Sequence, residues 1–400
     1  MIEGSRTPGR VVSRREFVRD SAFTAAGLAA YLHSGGVRAQ TPKPLNYNEN
    51  MEYRRLGKSD LMVSAICLGG HWKRIGTLIP GITAKDEWGA AILNHPEFIE
   101  NRRDIVSYCI EKGINYVDAC SGNEILAYTN ALKGRRDKMY LGYSWHVKEP
   151  RFPEWRTAAK LIQGLDEGLK ESGQDYVDVW RISAIMPGSE HTFNETYEIV
   201  AALAKAKKQG KARFIGISSH DREYLKIVIN EFPEQMEVIL TPYTAKTAEL
   251  PKKGQPAMVW NQEGSNFESA ESRETSADKV TELLPGSIFE TIRKNDVGVF
   301  GIKPFASNHL FKGDSSPDSP TAEEDDRRAR LAIRYILGNP AVTAPIPGMI
   351  NRHQVDNLVL AIKERRELDP KEMSELRKAG DEAWAKLPEE YQWLKKWEYV

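Results

Sequence analysis

Short apolar runs and longer stretches with helical spacing take turns along most of this chain. The first run, Val63 to Gly70, ends in a glycine pair. It follows a hairpin, because Met51 to Leu61 carries two short alternating segments about the turn Gly57-Lys58-Ser59-Asp60. A helix from about Phe98 to Lys112 precedes a strand at Tyr116–Asp118, a helix running to Leu132, the basic turn Gly134-Arg135-Arg136-Asp137 and a strand at Tyr140–Tyr143. Leu161, Ile162, Leu165 and Leu169 recur at helical spacing within Glu154–Glu171, and Asp175–Ile182 reads as the fourth strand. Further strands are expected at Arg213–Ser218, Glu237–Leu240, Val297–Ile302 and Val342–Ile346, with a helix at Thr196–Gln209. Eight strands, each followed by a helical segment, predict an α/β fold, a closed (β/α)8 TIM barrel filled by its own side chains. Extra C-terminal helices are expected in Pro370–Val400, where Trp384, Tyr391, Trp393 and Trp397 form an aromatic face for the barrel wall.

Two polar stretches interrupt the repeat. Residues 246–283, rich in Gly, Ser and Glu with Trp260 and Phe267 as anchors, follow the sixth strand, where a loop of that length would act as a lid or a mobile excursion. Gly313–Pro320 is a shorter loop of the same kind.

The N-terminal region reads as an address. Arg14-Arg15 stands before a weakly apolar run, Ser21–Leu32, and a small-residue site ending at Ala39, the order of a twin-arginine export signal at residues 1–39. That run is too short and too rich in Ala and Gly to span a bilayer. The expectation is passage through the twin-arginine machinery, cleavage after Ala39, a linker at 40–50, a barrel domain at 51–400, and a periplasmic or otherwise exported protein with no stable membrane span. Composition adds exclusions. The 56 basic and 56 acidic side chains balance, which gives no electrostatic pull toward nucleic acid. Cys67, Cys109 and Cys120 show no CxxC spacing and no disulfide framework, and read as buried thiols.

Several segments carry a family resemblance. YRRLGKSDLMVSAICLGG, GINYVDAC, GKARFIGISSH, GVFGIKPFASNHLFKG and IPGMINRHQVDNL resemble the opening hairpin, the second repeat and the cofactor-facing strand ends and loops of the aldo-keto reductase family. The resemblance implies a nicotinamide cofactor, NADP or NAD, held by Gly69, Gly70, Ser218, Ser219, Tyr243, Lys303, Gly348, Asn351, Arg352, Asp356 and Asn357. In it, the glycines let backbone approach the nicotinamide, Tyr243 stacks on that ring, the helix N-terminus near Asn351 and Arg352 takes a phosphate, and Asp356-Asn357 reads adenine. The family's catalytic set is Asp, Tyr, Lys and His. Asp118 matches the first. No Tyr follows it, Ser144 or Trp145 stands where the Lys belongs, and Ser183 stands for the His.

Carbonyl reduction by hydride needs an acid for the developing alkoxide. With Tyr, Lys and His missing, the substitute acids near the mouth are His146, His220 and Lys303, beside Asp118. The leading expectation is therefore an exported aldo/keto reductase-like oxidoreductase with an altered catalytic set, acting on a small carbonyl compound or sugar. Two other readings stay open. His71, Asp118, Glu124, His146 and His220 form a nitrogen and oxygen set suited to a divalent metal, and Trp72, Trp145 and Tyr243 would stack on a sugar, as in a metal-dependent hydrolase or lyase. A non-catalytic binding protein on the same barrel is the other.

Overall fold

The structure, a computed structural model, describes residues 44–389 apart from 84, 87–88, 185–192, 247–286 and 317. The export signal, nearly all of the polar insertion and the aromatic residues Tyr391, Trp393 and Trp397 lie outside the described residues.

Two short strands, β1 (Tyr53–Arg55) and β2 (Met62–Ser64), pair antiparallel about the Gly57–Ser59 turn. Then β3 (Tyr116–Ala119), β4 (Tyr140–Tyr143), β5 (Val177–Ser183), β6 (Ala212–Ser218), β7 (Val238–Pro242), β8 (Gly298–Ile302) and β9 (Ala344–Pro345) form one parallel sheet in chain order. The stretch 67–69 closes it. Leu68 donates to Tyr116 O at 2.9 Å on one edge, while Cys67 and Gly69 donate to Pro345 O and Pro347 O at 3.1 and 2.8 Å on the other. The result is the (β/α)8 barrel that the alternation predicts, with the eighth position filled by three residues.

That first position corrects the expected Val63–Gly70 strand. Its front half is the second arm of the hairpin, and Ser64 ends it because its N–H donates to Asn115 Oδ1 at 2.8 Å instead of to a barrel neighbour. The hairpin stoppers the N-terminal end of the barrel. Leu56, Leu61 and Val63 pack with Cys67, Tyr116, Val179, Leu240 and Phe300 in one core, and the Tyr116 and Phe300 rings lie 4.4 Å apart. Burying side chains of that size stabilises the fold by roughly 1.5–3 kcal/mol each.

The helices are α1 (Pro96–Glu111), α2 (Gly122–Ala131), α3 (Ala158–Ser172), α4 (Phe193–Lys208), α5 (Arg222–Glu231), α6 (Ile288–Lys294), α7 (Ala322–Gly338), α8 (Arg352–Lys363) and α9 (Pro370–Ala385). Helix α3 shows how the sequence sets them. Thr157 caps its start by accepting from Lys160 N–H, left-handed Gly173 ends it, and Leu161, Ile162, Leu165 and Leu169 are its buried stripe. Gly168 lets Trp145 lie flat against this helix, since a Cβ there would sit 2.6 Å from the indole. Helix α9 is the extra C-terminal helix, and its Trp384 packs with Ala306 of the rim loop after β8. Among the described residues no helix is long and apolar enough to cross a membrane.

Candidate active site

The carboxyl ends of the strands surround a cavity of about 410 Å³. Of the residues singled out from the sequence, Gly69, Gly70, His71, Asp118, Glu124, His146, Ser218, His220, Lys303 and Gly348 all line it. Arg181, Arg151 and Lys73 add positive charge to the same wall.

Asp118, the matched family residue, lies one residue before the end of β3 and is buried. It takes a two-pronged contact from Arg181 of β5, Nη2 to Oδ2 and Nε to Oδ1, the latter at 3.2 Å. Burial disfavours both charges and raises the Asp118 carboxyl, while Asp118 holds Arg181 above its ordinary range, so the two-pronged contact keeps the guanidinium charged. The cation beside the aspartate thus comes from the fourth barrel strand rather than the third.

A second carboxylate, Glu124, sits in the first turn of α2. It accepts His71 N–H at 2.6 Å and Cys120 N–H at 2.7 Å, and its Oε1 contacts His71 Nδ1. Burial raises its pKa, yet the His71 ring and the backbone donors bring it down to about 2. Gly70 makes this possible, because a Cβ there would lie 2.2 Å from the Glu124 carboxyl carbon. Gly69 and Gly348 likewise let the backbone bends meet, with added Cβ atoms 2.8 Å from Ile346 O and 2.5 Å from Gly70 O. Here the glycines serve packing between rim loops.

Lys303 follows β8 in a left-handed conformation, φ 56°, and burial pushes its amine down to about 8. After Pro304 and Phe305, the latter at φ −114°, Ala306, Ser307 and Asn308 form a left-handed run at φ 48°, 57° and 72°. Such backbone is costly for non-glycine residues and concentrates at functional loops, where it forms amide-lined concavities that hold anions. His146 Nδ1 meets Cys120 O at 2.8 Å, so its N–H is committed there and Nε2 keeps the lone pair; burial lowers its pKa.

A smaller cavity of about 60 Å³ shares Lys73, Phe305, Asn308 and Gly348 with the first and runs to the start of α8, where Asn357 and His353 line it. Asn351 caps α8, accepting from Gln354 N–H, and Arg352 at its first position pairs with Asp104 and lies over the Tyr108 ring. Asp356, one residue from Asn357, is turned around the helix to Lys112 and Tyr108 and lines neither cavity. Ser219 and Tyr243 are also absent from both walls. Ser219 Oγ accepts Asp221 N–H, and the Tyr243 ring is buried against Phe289 and Tyr335, its hydroxyl accepting from Asn339 at 3.0 Å.

The expected five-residue metal set does not assemble. His71 and Glu124 share a cluster with Cys120, their ligand atoms within 4.8 Å, but they bond directly to one another and Asp118 is engaged by Arg181. The sugar-stacking aromatics are likewise core. Trp72 is wedged edge-on between Phe98 and Tyr128, and Trp145 is buried against α3.

One network went unnoticed in the sequence. Ser144 after β4 and Ser183 at the end of β5 face each other at 2.9 Å, and Glu149, from the loop after β4, bonds to Ser144 Oγ and accepts Ser183 N–H at 2.8 Å. Ser144 joins this network, while the neighbouring Trp145 ring packs on α3.

A parallel barrel with a cavity at its carboxyl rim, into which a few charged and polar side chains converge, is a TIM-barrel protein with a small-molecule site. The profile of the aldo/keto reductase family matches residues 99–381, well over half of the chain, and the chain belongs to that oxidoreductase family. It is 24% identical over 238 residues to the L-galactose dehydrogenase of Arabidopsis thaliana, covering 55% of this chain and 64% of that protein. Over 192 residues it is 26% identical to the L-glyceraldehyde 3-phosphate reductase of Escherichia coli (strain K12), covering 45% and 48%. The chain therefore spans from about half to just under two thirds of the length of these curated relatives. Among solved structures, the holo form of an aldo-keto reductase from Bacillus halodurans aligns with TM-score 0.53 at 20% identity, covering 86% of this chain and 99% of that one. An aldo-keto reductase from Klebsiella pneumoniae in complex with NADPH aligns with TM-score 0.52 at 17% identity, covering 82% and 94%. These likenesses establish the fold.

Proposed function

We propose that this chain is an exported oxidoreductase that moves hydride between NADP(H) or NAD(H) and a small carbonyl compound or sugar. The observation that carries this reading is the pair of adjoining cavities, which share wall residues and extend from Asp118 and Lys303 at the barrel mouth to the start of α8. Their walls suit a dinucleotide: the left-handed 306–308 run, Lys73 and Lys303 would hold the phosphates, Gly348 and Asn357 the adenosine end, and Ser218 the nicotinamide amide. The NADPH of the Klebsiella pneumoniae structure and the sugar-derived substrates named for the two curated relatives support the same choice of chemistry.

Bound nicotinamide would supply the hydride. The chain's own residues supply the electrostatics. Arg181 presents a fixed positive charge at the wall, preorganised by Asp118 for an oxygen that gains negative charge. Lys303 remains mostly an ammonium at neutral pH and adds to that field. His146, neutral with Nε2 as acceptor, and His220 orient hydroxyl groups of the substrate. Native mass spectrometry of protein purified from its natural compartment should find one bound nicotinamide dinucleotide. Failure of both cofactors to bind on titration would sink the reading. Export rests on Arg14-Arg15 and the run after it; replacing both arginines by lysine should hold the protein in the cytoplasm, and unchanged export would refute that part.

A further inference from the structure

Glu149, Ser144 and Ser183 form a buried polar network that the reductase reading leaves without a task. The resemblance puts the family's His at Ser183 and its Lys at Ser144 or the adjacent Trp145, so the network lies where those proton-handling groups are lost. It is a chain with one open end. Glu149 Oε2 bonds to Ser144 Oγ, Ser144 Oγ lies 2.9 Å from Ser183 Oγ, and Ser183 is part of the cavity wall. The inner two members are sealed from solvent, at 0% and 2% exposure for Ser144 and Glu149. The carboxylate is anchored by Ser183 N–H on Oε2 at 2.8 Å and Trp145 N–H on Oε1 at 3.0 Å, which fixes the oxygen facing Ser144.

A serine hydroxyl donates one hydrogen bond and accepts others, so such a chain reverses its polarity when one proton moves along each link. We propose that Glu149 is the proton reservoir of the site, delivering a proton through Ser144 and Ser183 to the oxygen of a bound carbonyl compound. This rests on the reductase reading. As hydride reaches the carbonyl carbon, the C=O π pair becomes a lone pair on oxygen. That oxygen takes the Ser183 hydroxyl proton, Ser183 takes that of Ser144, and Ser144 takes that of Glu149, leaving a carboxylate. Carbonyl, reduced nicotinamide and one carboxylic acid become alcohol, oxidised nicotinamide and one carboxylate. Water entering after the product leaves recharges Glu149 along the same path, and alcohol oxidation runs it in reverse.

The other rim carboxyls are unsuited to this work. Burial raises the Asp118 carboxyl, but both of its oxygens are taken up by the Arg181 guanidinium and neither faces the serines, and Glu124 is held at about 2, too low to carry a proton at neutral pH. Burial pushes Glu149 up to about 7 against the pull of its hydrogen bonds and of Arg181 across from it on β5, and Tyr143 on β4 also faces it. Both of its states are therefore populated where an acid–base catalyst works best.

The test compares wild type with Ser144→Ala, which cuts the chain but leaves the backbone contacts of Glu149, and with Glu149→Gln. NADPH titration by fluorescence is expected to give the same affinity in all three. Single-turnover reduction of glyceraldehyde is expected to slow about 10²-fold or more in both variants, and the limb of the pH profile near 7 should vanish. In cofactor-free protein, infrared difference spectra should show a carboxyl C=O band titrating near neutral pH, lost in Glu149→Gln and shifted in Ser144→Ala. Rates and pH profiles like the wild type's in variants that bind NADPH would overturn this proposal alone and leave Lys303 as the donor. A wild type that binds neither NADPH nor NADH would overturn the reductase reading and this proposal with it.

Discussion

Replacing Glu124 by Gln removes the charge on which the rim loop at 69–71 is folded. The carboxylate collects two backbone N–H groups, from His71 and Cys120, and the His71 ring, while buried in a space that exists only because residue 70 is glycine. Its pKa of about 2 lies well below the ordinary value of 4.5. At 1.36 kcal/mol per unit that difference amounts to about 3 kcal/mol of stability. The folded-state pKa is depressed, so this contribution is complete above the unfolded value, about 4.5, and disappears as pH falls through about 2. Glu124→Gln should therefore lose about 3 kcal/mol at neutral pH and less than half of that near pH 3. Urea unfolding followed by tryptophan fluorescence at several pH values measures the gap. The same gap at neutral and acidic pH would refute an ionic role for Glu124. Gly70→Ala supplies a cross-check. Its Cβ would occupy the carboxylate's space, so its cost in the Glu124→Ala background should shrink by on the order of 1 kcal/mol or more.

Other consequences follow from the same geometry. Arg181→Met strands the buried Asp118 charge and should cost about 3–5 kcal/mol, part of which Asp118→Asn added to it recovers; simple additivity in denaturant unfolding would argue against a coupled pair. Lys303→Met should weaken NADPH binding about ten-fold or more and flatten its salt dependence, and unchanged affinity would remove Lys303 from the cofactor site. Glu149 has the opposite sign from Glu124. Its raised pKa makes it a stability penalty that grows as pH rises from about 4.5 to about 7, so the difference between wild type and Glu149→Gln should move in the variant's favour by about 3 kcal/mol over that window. A pH-independent difference in thermal unfolding would contradict the assignment.

Much of the barrel was legible in the sequence, because strands buried on both faces and helices with a single apolar stripe leave different periods. The first barrel position was not. Val63–Gly70 is apolar almost throughout, and apolarity alone does not separate a hairpin arm from a barrel strand; the break is made by Ser64 and Asn115, fifty-one residues apart in the chain. Strand ends and the family resemblance together found ten of the residues that line the cavity, since topology forces strand ends to one rim. They misplaced Tyr243, which leaves β7 on the outward side and packs on α6 and α7, and Asp356, which a helical step of about 100° turns from Asn357 toward α1. They also passed over Glu149, because this carboxylate reaches the site from a rim loop and shows no spacing that ties it to Ser183, 34 residues on.

Calorimetric titration of the purified protein with NADPH and NADH tests most directly whether the two adjoining cavities hold a dinucleotide. One dinucleotide per chain should bind, with affinity reduced in Lys303→Met and kept in Ser144→Ala. Heats indistinguishable from dilution for both cofactors would contradict it.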